Sequence, residues 1–434
     1  MADLSAQTPG WPDSLWLHTA PKAPASQPLE EDHNTDVVII GAGFTGLRAA
    51  LYLVEAGTNV TVLDAGDVAY GASGRTGGQV NPMMPFNSPD QLRTLVGPHV
   101  FERLAETSLG SADELFRMVE TYQIDCQARQ KGWLRVNHSK KAHKKAEADV
   151  KVWNALGAEM EIVETDQIEA ISGTRAYKSG LVNKRGGAVH PLMLARGLGS
   201  AAIQRGARVF GRSAVTSLTR QDGKWCAATA SATVKADWVI VATNGYTDDL
   251  IPDLAQSIIP VTPIQIATDP LPEEVIGSIL PHGHTISDSR RVIMYARREP
   301  DNRMVYGGHG ELDSNGQLVG FDWLQKDAER VFPQLKGVKW THRWGGRIAI
   351  TEDHLPHLHE PEPGLLAALG YNGRGVAMSN VMGRVMAQRV LGATPDTLPL
   401  PVTGITGIPL RGLKMAAMPF AVRGMRLLDR LETR

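Results

Sequence analysis

The segment Gly41–Gly46, Gly-Ala-Gly-Phe-Thr-Gly, constrains the fold more than any other feature of this chain. It follows the apolar run Asp36–Ile40, which is typical of a buried parallel strand, and it opens a stretch with apolar residues at helical spacing. A second predicted strand, Asn59–Leu63, ends immediately before Asp64. This order of strand, glycine turn, helix and strand is the context in which such a glycine pattern binds a dinucleotide. The sequence therefore predicts a dinucleotide-binding βαβ unit.

The positions of this unit have separate physical roles in the prediction. The first glycine permits a tight turn, the second lets a pyrophosphate approach the backbone, and the third lets the helix pack on the strand. Free N–H groups at the start of the helix face the phosphates, and the acidic residue accepts a hydrogen bond from a ribose hydroxyl. The alternative is a glycine-rich turn in an unrelated βαβ unit. The predicted contacts are Gly41, Gly43, Phe44, Thr45, Gly46, Asp64 and Ala65.

Length, charge and cysteine content limit the class of protein. A chain of 434 residues is long enough for two domains with a ligand buried between them. A formal net charge of −1 gives no electrostatic reason to expect a nucleic-acid partner. With two cysteines, Cys126 and Cys226, we expect neither a disulfide framework nor a metal site. The histidines of His354–His359 are interrupted by a proline, which favours an ordinary loop. We find no secretory signal and no apolar run of membrane-spanning length, so we expect a cytoplasmic protein.

The pattern of strands and helices predicts an α/β fold with a discontinuous organisation. Parallel-strand and helix signals indicate a doubly wound, Rossmann-like nucleotide-binding domain, while alternating patterns indicate an inserted antiparallel-sheet α+β domain for the substrate. Residues 140–158 are predicted to form a solvated helix far from the nucleotide. The nucleotide-binding domain is assigned to 36–95, 185–255 and 345–434, the inserted domain to 96–184 and 256–344, and an irregular lead-in to 1–35.

The C-terminal stretch 411–434 combines arginines and a lysine with Met, Phe and Leu. Two interpretations stay open. The favoured one is a terminal helix packed on the body of the protein, because such patterns are commoner in ordinary surface helices. The other is a basic amphipathic helix that touches a membrane surface or a partner.

Four separated motifs resemble the D-amino-acid-oxidase-type FAD-dependent oxidoreductases, the family that includes glycine oxidase and monomeric sarcosine oxidase. The likeness is greatest to the γ-glutamylputrescine oxidase branch. The motifs are Asp36–Gly46, Ala72–Gln79, Val239–Tyr246 and Gly370–Met378. The resemblance implies an FAD-binding doubly wound domain with an inserted substrate domain. An NAD-dependent dehydrogenase is the other interpretation of the βαβ unit, and the near-neutral charge argues against the tRNA-modifying branch of the family.

The resemblance also implies where the rest of the flavin is held. The loop Gly71–Gln79 passes beneath the pyrophosphate and ribityl chain, a valine backbone contacts adenine, and glycines before a late helix stabilise negative charge on the reduced flavin. Each part, taken alone, is also compatible with an ordinary loop or core residue. The flavin is expected to be non-covalent, since the chain lacks the family's tethering Cys and His. The implied residues are Ser73, Gly74, Arg75, Thr76, Gly77, Gly78, Gln79, Val215, Ala242, Thr243, Asn244, Gly346, Asn372, Gly373, Arg374, Gly375 and Val376.

The reaction implied by the resemblance removes a hydride from the carbon next to an amine nitrogen and delivers it to flavin N5. The imine product is then hydrolysed, and oxygen reoxidises the flavin with release of hydrogen peroxide. The flavin supplies the chemistry, so no Ser-His-Asp set or carboxylate pair is needed. The implied substrate is a small amine or amino acid similar to γ-glutamylputrescine. The alternative is an oxidase or quinone-linked dehydrogenase of a cyclic imino acid such as L-pipecolate or proline.

Four residues of the inserted sheet are candidates for the substrate side. Arg297 resembles the family's carboxylate-binding arginine, although an ordinary salt bridge is an equal alternative. Tyr295 and Tyr306 are candidates for lining the pocket, and His309 for approaching the flavin, although aromatic strand residues often only pack. Several family oxidases place a lysine opposite the flavin, and this chain has none from 261 to 325. Oxygen as the acceptor would therefore depend on His309 or an arginine.

Overall fold

The computed structural model describes residues 10–433, so residues 1–9 of the predicted lead-in and the final Arg434 lie outside the described residues. Within that range the helices are α1 (Leu15–Thr19), α2 (Phe44–Glu55), α3 (Pro89–Val96), α4 (Pro98–Thr121), α5 (Lys140–Asn154), α6 (Thr165–Ser172), α7 (Pro191–Gln204), α8 (Glu273–Ile276), α9 (Phe321–Val331), α10 (Gly375–Val390) and α11 (Arg411–Glu432).

The strands form two large sheets and two small ones. In chain order they are β1 (His33–Asn34), β2 (Val37–Ile40), β3 (Val60–Leu63), β4 (Gln79–Val80), β5 (Trp133–Val136), β6 (Met160–Glu164), β7 (Ser179–Asn183), β8 (Gly187–Ala188), β9 (Arg208–Phe210), β10 (Ser217–Gln221), β11 (Lys224–Ala228), β12 (Thr233–Ala236), β13 (Trp238–Val241), β14 (Ile259–Thr268), β15 (Thr285–Asp288), β16 (Met294–Arg298), β17 (Met304–Leu312), β18 (Leu318–Val319), β19 (Trp340–Gly345), β20 (Ile348–Ile350), β21 (His357–Glu362), β22 (Leu365–Leu369) and β23 (Val402–Thr403).

The seven-stranded sheet has the order β23-β21-β22-β13-β2-β3-β9 and contains the predicted βαβ unit. Its central strands pair in parallel, with β2 between β3 and β13. Every residue of β2, β3 and β22 is buried, as expected for parallel strands covered on both faces. The strand order reverses beside β2, which is where open α/β sheets bind ligands. The prediction of a doubly wound α/β fold is confirmed.

The ten-stranded sheet has the main order β19-β14-β17-β16-β15-β5-β7-β6, with β18 and β20 paired to β17 and β14. Most of its pairs are antiparallel, as the alternating sequence patterns predicted. One face carries Ile264, Met294 and Tyr306, which pack with the buried side of α9. The other face belongs to the core of the seven-stranded sheet, since Val305 and Trp344 join that cluster.

The lead-in is more ordered than predicted in its described part. Ser14 caps α1 by accepting a hydrogen bond from the Leu17 N–H, and β1 pairs in parallel with β12. Trp16 is fully buried, which explains why the segment folds onto the body instead of running irregularly over it. The loop expected at His354–His359 is also wrong in part, because β21 begins at His357.

The C-terminal helix α11 differs from the favoured expectation of a packed helix. Only Val422 and Asp429 are buried along its length, and most of its large apolar side chains are exposed. The prediction of a packed terminal helix is therefore wrong, because most of the large apolar side chains of α11 face away from the body. None of the helices in residues 10–433 combines the length and the apolar composition needed to cross a bilayer.

Candidate flavin and substrate site

The glycine turn between β2 and α2 has the geometry that its sequence predicts. Gly41 has a φ of +109°, and a Cβ built on it would lie 2.9 Å from the carbonyl oxygen of Ala242. A Cβ on Gly46 would lie 1.9 Å from the carbonyl oxygen of Gly41, so a larger residue there would separate helix from strand. The turn thus brings the start of α2 against the ends of β2 and β13.

Side chains from two other segments, Asp64 and Ser73, fix this turn. Asp64 accepts hydrogen bonds from the N–H groups of Ala42, at 2.6 Å, and Gly66, at 2.8 Å. Desolvation of this buried carboxyl raises its pKa, although those two N–H groups oppose the shift. Ser73 Oγ accepts from the N–H of Phe44 at 2.9 Å and ties the predicted flavin loop to the helix start. The ribose contact of Asp64 stays a prediction, to which its remaining lone pairs are suited.

Donors from three different elements hold four carbonyls of the flavin loop Gly71–Gln79, those of the segment Arg75–Gly78. Trp344 Nε1 donates to the first carbonyl at 3.0 Å, and Trp16 Nε1 donates to the second at 2.8 Å. One terminal nitrogen of Arg297 donates to the last two carbonyls, at 3.2 and 3.0 Å. These contacts fix the loop between the two large sheets.

This arrangement overturns the predicted role of Arg297 in binding a substrate carboxylate. Its guanidinium also donates to Glu299, at 2.5 and 2.8 Å, and to the carbonyl of Val189 at 2.7 Å. The side chain is 1% exposed. We conclude that the prediction is wrong, because the donors of Arg297 are engaged within the protein and its charge is paired.

The two tyrosine candidates, Tyr295 and Tyr306, lie on opposite faces of the ten-stranded sheet. Tyr295 lies on the face towards the flavin loop, where its ring packs beside Gly77 and its hydroxyl accepts from Gln265 Nε2 at 2.9 Å. Tyr306 lies on the opposite face and donates to Asp327 Oδ2 at 2.7 Å, so the prediction that it lines the pocket is wrong. A one-residue difference in position changes the face of a strand.

His309 lies near the C-terminal helix. Its carbonyl accepts from Trp323 Nε1 at 3.0 Å, and the charges of Glu311 and Arg426 act on its ring. Burial lowers its pKa below the ordinary value, so the ring is neutral at neutral pH. A neutral imidazole does not supply the positive charge that was expected of His309 in place of the family lysine.

Two asparagines position the late loop before α10. Asn244 Oδ1 accepts from the N–H of Gly370 at 3.0 Å. The side chain of Asn372 accepts from the Thr351 N–H and donates to the Thr351 hydroxyl, both at 3.0 Å. These amides therefore act on the shape of the loop. The backbone N–H of Asn372 is engaged as well, since it donates to the carbonyl of Ala349 at 3.3 Å, and the cofactor contact of Asn372 stays a prediction.

The start of α10 has unmet hydrogen-bonding capacity that suits the polar edge of a flavin. Its N-cap, Arg374, gives no side-chain cap bond. The buried atoms Arg374 Nε, Ser379 Oγ and both polar atoms of the Asn380 amide have no hydrogen-bond partner in the described part of the chain. Free N–H groups and the helix dipole at this end favour negative charge. The residues present therefore fit FAD.

The remaining predicted cofactor residues border the same region. Ala242 donates its N–H to the carbonyl of Ile40 at 2.8 Å, and the Thr243 hydroxyl is 2.7 Å from that of Thr247. Gly346 lies against Arg75, since a Cβ on it would be 3.0 Å from the Arg75 side chain. Val215 is partly buried against the cluster around β2 and β13. Their contacts with the flavin stay predictions.

A row of residues crosses the ten-stranded sheet on the face towards the flavin loop. Strand register places Arg135 beside Ser287, Ser287 beside Tyr295, and Tyr295 beside Gly307. Trp133, two residues before Arg135, shares this face and donates from Nε1 to Ser287 Oγ at 2.8 Å. Trp133 and Arg135 were not predicted to belong to the site, although the alternation in Trp133–Val136 indicates that these two residues share one face of a strand.

A recess with an excess of positive charge opens at this row. The guanidinium carbon of Arg374 lies 4.5 Å from the centre of the Trp133 ring. Arg135 and Lys145 share one carboxylate, Asp149, at 3.8 and 2.9 Å. Desolvation, then the charge of Arg135, lowers the pKa of Arg374, which marks a cation without an anionic partner.

Helix α5 lines part of this recess through Lys145, Asp149 and Trp153, together with Arg374 and Met83. Most of the helix is exposed, with Ala146 and Trp153 buried, as the prediction of a solvated helix for 140–158 requires. The contribution of Lys145 and Asp149 to a recess was not predicted from the sequence.

The doubly wound sheet with its dinucleotide turn, faced by a second large sheet, is the architecture expected of an FAD-dependent oxidoreductase. The chain belongs to the family described as DAO, FAD dependent oxidoreductase, whose model matches residues 36–389. This confirms the resemblance on which the sequence analysis drew, and with it the FAD dependence.

Individual relatives agree with this assignment. The chain is 32% identical over 387 residues to the gamma-glutamylputrescine oxidoreductase of Escherichia coli, covering 87% of this chain and 89% of the relative. It is also 32% identical over 371 residues to a probable oxidoreductase OrdL of Haemophilus influenzae, covering 84% and 85%. The crystal structure of glycine oxidase from Geobacillus kaustophilus superposes with a TM-score of 0.71 at 21% identity, covering 86% of this chain and all of the other.

Proposed function

We propose that the protein oxidises the C–N bond of a small amine that carries an amino-acid end, similar to γ-glutamylputrescine. One observation carries the proposal: Arg374 opens onto a recess with Arg135 and Asp149 and has no anionic partner of its own among residues 10–433. The name of the Escherichia coli relative supports the same substrate class. Such an end has a carboxylate for the arginines and an ammonium for Asp149.

The bound cofactor supplies the electron chemistry, by accepting a hydride equivalent from the carbon next to the amine nitrogen. The chain's own residues hold the cofactor and orient the substrate. The turn Gly41–Gly46 and the start of α2 receive the pyrophosphate, and the loop Arg75–Gly78 receives the ring system. The open N–H groups at the start of α10 stabilise negative charge at the polar edge of the ring.

The recess places the substrate. Arg374 and Arg135 bind the carboxylate, and the indole of Trp133 excludes water beside it. Tyr295 lies between this recess and the flavin loop, where the reacting carbon is directed. The amine loses a hydride and a proton and becomes an imine. Water then adds to the imine, and an aldehyde and ammonia leave.

Oxygen is the proposed acceptor, reduced by two electrons and two protons to hydrogen peroxide. The family lysine is absent from 261–325 and His309 is neutral, so neither of these groups supplies the positive charge that favours reduction of oxygen. Peroxide release under air supports an oxidase. Its absence, with an artificial quinone still reduced, would instead assign the protein as a dehydrogenase.

Anaerobic bleaching of the bound flavin tests the substrate class. We expect γ-glutamylputrescine to bleach the flavin, and putrescine, the matched amine without the glutamyl end, to bleach it at least about 100-fold less efficiently. Equal bleaching by both amines would overturn the role of the recess. Bleaching by L-pipecolate or L-proline alone would replace the proposal with the cyclic imino acid alternative.

A further inference from the structure

The outward face of α11 is an apolar stripe. Leu413, Phe420, Leu427 and Leu431 are spaced by seven, seven and four residues, so they lie on one side of the helix. They are 65%, 71%, 59% and 55% exposed, respectively. Isolated exposed apolar side chains are ordinary on a protein surface, but four on one face of one helix form a patch that marks an interaction site.

Contacts at both ends hold α11 along the body with this stripe outwards. Arg411 Nε donates to the carbonyl of Ile258 at 2.7 Å near the first turn. At the other end, Arg291 pairs with Asp429 and Glu432, each at 2.8 Å. Val422, which lies between these ends on the inner side, is buried. Turning the stripe inwards would break these contacts, so its exposure is built into the fold.

The charges of α11 are divided between its two sides. The helix has five basic and two acidic residues, a net charge of +3 in a chain whose formal net charge is −1. Both acidic residues are engaged by Arg291. Arg423 and Arg430 are exposed beside the stripe and form no ion pair with any residue in 10–433. The outward half of the helix is thus apolar and positively charged.

We propose that the outward face of α11 docks on the surface of a bilayer that contains anionic phospholipids. The helix lies in the plane of the interface, with Phe420 and the leucines among the acyl chains and Arg423 and Arg430 at the phosphates. A second copy of the chain is a poorer occupant, because two such faces bring their arginines together. The proposal is independent of the reaction that the enzyme catalyses.

Flotation of the FAD-loaded, full-length protein with vesicles tests this docking. We expect the protein to float with vesicles of phosphatidylcholine and phosphatidylglycerol, to float much less with phosphatidylcholine alone, and to be released by salt. The variant F420S/L427S loses at least about tenfold in vesicle partitioning, because two buried side chains no longer contribute. The variant R423Q/R430Q loses about tenfold with anionic vesicles and depends less on salt.

A matched control uses exposed leucines outside α11. L95S/L391S alters side chains that are 48% and 46% exposed and is expected to float like the wild type. Flavin absorbance and the melting temperature check that each variant is folded. The proposal is overturned if the wild type stays with neither vesicle, or if F420S/L427S floats as well as the wild type. A concentration-dependent dimer that F420S/L427S abolishes, with no flotation, would assign the stripe to a second copy.

Discussion

Two arginines lie between the two large sheets and have opposite surroundings. Arg297 lies in what we call the seam, the contacts that it makes with Glu299 and with the backbone carbonyls around it, and Arg374 lies in the recess. Arg297 has acceptors from Glu299 and three carbonyls, so its charge and its donors are satisfied. Arg374 stacks on Trp133 and keeps a buried Nε without a partner in the described chain. The first arginine fastens two parts of the fold together. The second has interaction capacity left for a ligand.

Burial alone does not identify a ligand-binding arginine. A buried guanidinium must find acceptors, and the useful question is whether the protein itself supplies them. Where it supplies all of them, substitution removes stability. Where it does not, substitution removes ligand binding and leaves the fold intact. The two regions therefore predict opposite outcomes for the same chemical change.

The largest expected effect is on folding. Arg297→Met leaves the buried Glu299 without its main partner and is expected to destabilise the protein by about 3–5 kcal/mol. The value lies towards the lower end, because Arg129 is 3.6 Å from Glu299. Chemical denaturation of the holoprotein measures the change. The double variant R297M/E299M recovers part of it, and a fully stable R297M would contradict the fastening role.

The opposite outcome is expected at the recess. Arg374→Met lowers kcat/KM for an amine with an acidic end by about 100-fold, because charge-assisted hydrogen bonds to the carboxylate are lost. The free energy of unfolding changes little. Arg374→Lys keeps the charge without the fork and retains part of the activity. A similar loss for putrescine would indicate that Arg374 acts on the flavin instead of on the substrate end.

A smaller effect tests how firmly the loop Arg75–Gly78 is held. Trp344→Phe replaces the buried indole by a smaller aromatic ring and removes the donor to the Arg75 carbonyl, and the lost hydrogen bond alone costs about 1–2 kcal/mol. We expect the dissociation constant of FAD to rise roughly tenfold, since the loop is held less firmly. Titration of the apoprotein with FAD gives the constant. Trp340→Phe, at another position in β19, is the control and should leave it unchanged.

The smallest expected effect is a pH dependence in the seam. His190 accepts from the Met193 N–H as the cap of α7, and burial, then the charge of Arg297, lowers its pKa to about 3. A lowered histidine pKa means that stability is complete above the unfolded pKa near 6.5 and is lost as the pH falls towards 3. We expect a loss of about 1 kcal/mol from pH 7 to pH 5.5.

His190→Asn keeps a good cap and removes the titrating group, so denaturation midpoints should depend less on pH in this variant. Arg297→Met gives a second check, because removing the nearby positive charge lets the pKa of His190 rise. A slope unchanged in both variants would assign the pH dependence to other groups.

The parts of the site that follow from local sequence were predictable. Gly41–Gly46 and the strands beside it act through backbone geometry over a few residues, so spacing alone identified them. The side of a strand on which a residue lies was harder to predict, since Tyr295 and Tyr306 are alike in sequence terms but face different layers. The partner of Arg297 was two residues away, at Glu299, yet its carbonyl acceptors come from distant segments.

The recess and the C-terminal helix depended on tertiary placement. Nothing local distinguishes Asp149 from the solvated charges around it in α5, and only the fold brings it to Arg135. The amphipathic pattern of α11 was visible, but whether its apolar side meets the body or the solvent is decided by the ends of the helix. Arg411 and Asp429 determine that orientation through long-range contacts.

The hydrogen bonds that hold Arg75–Gly78 also limit how far the two large sheets can separate. Swinging the two sheets apart would sever the bonds from Trp16, Trp344 and Arg297 together, so entry by a hinge is costly. At the rim of the recess Phe86 is exposed, and its ring centre lies 4.6 Å from that of His354. Rotation of this side chain would widen the rim without moving one sheet relative to the other.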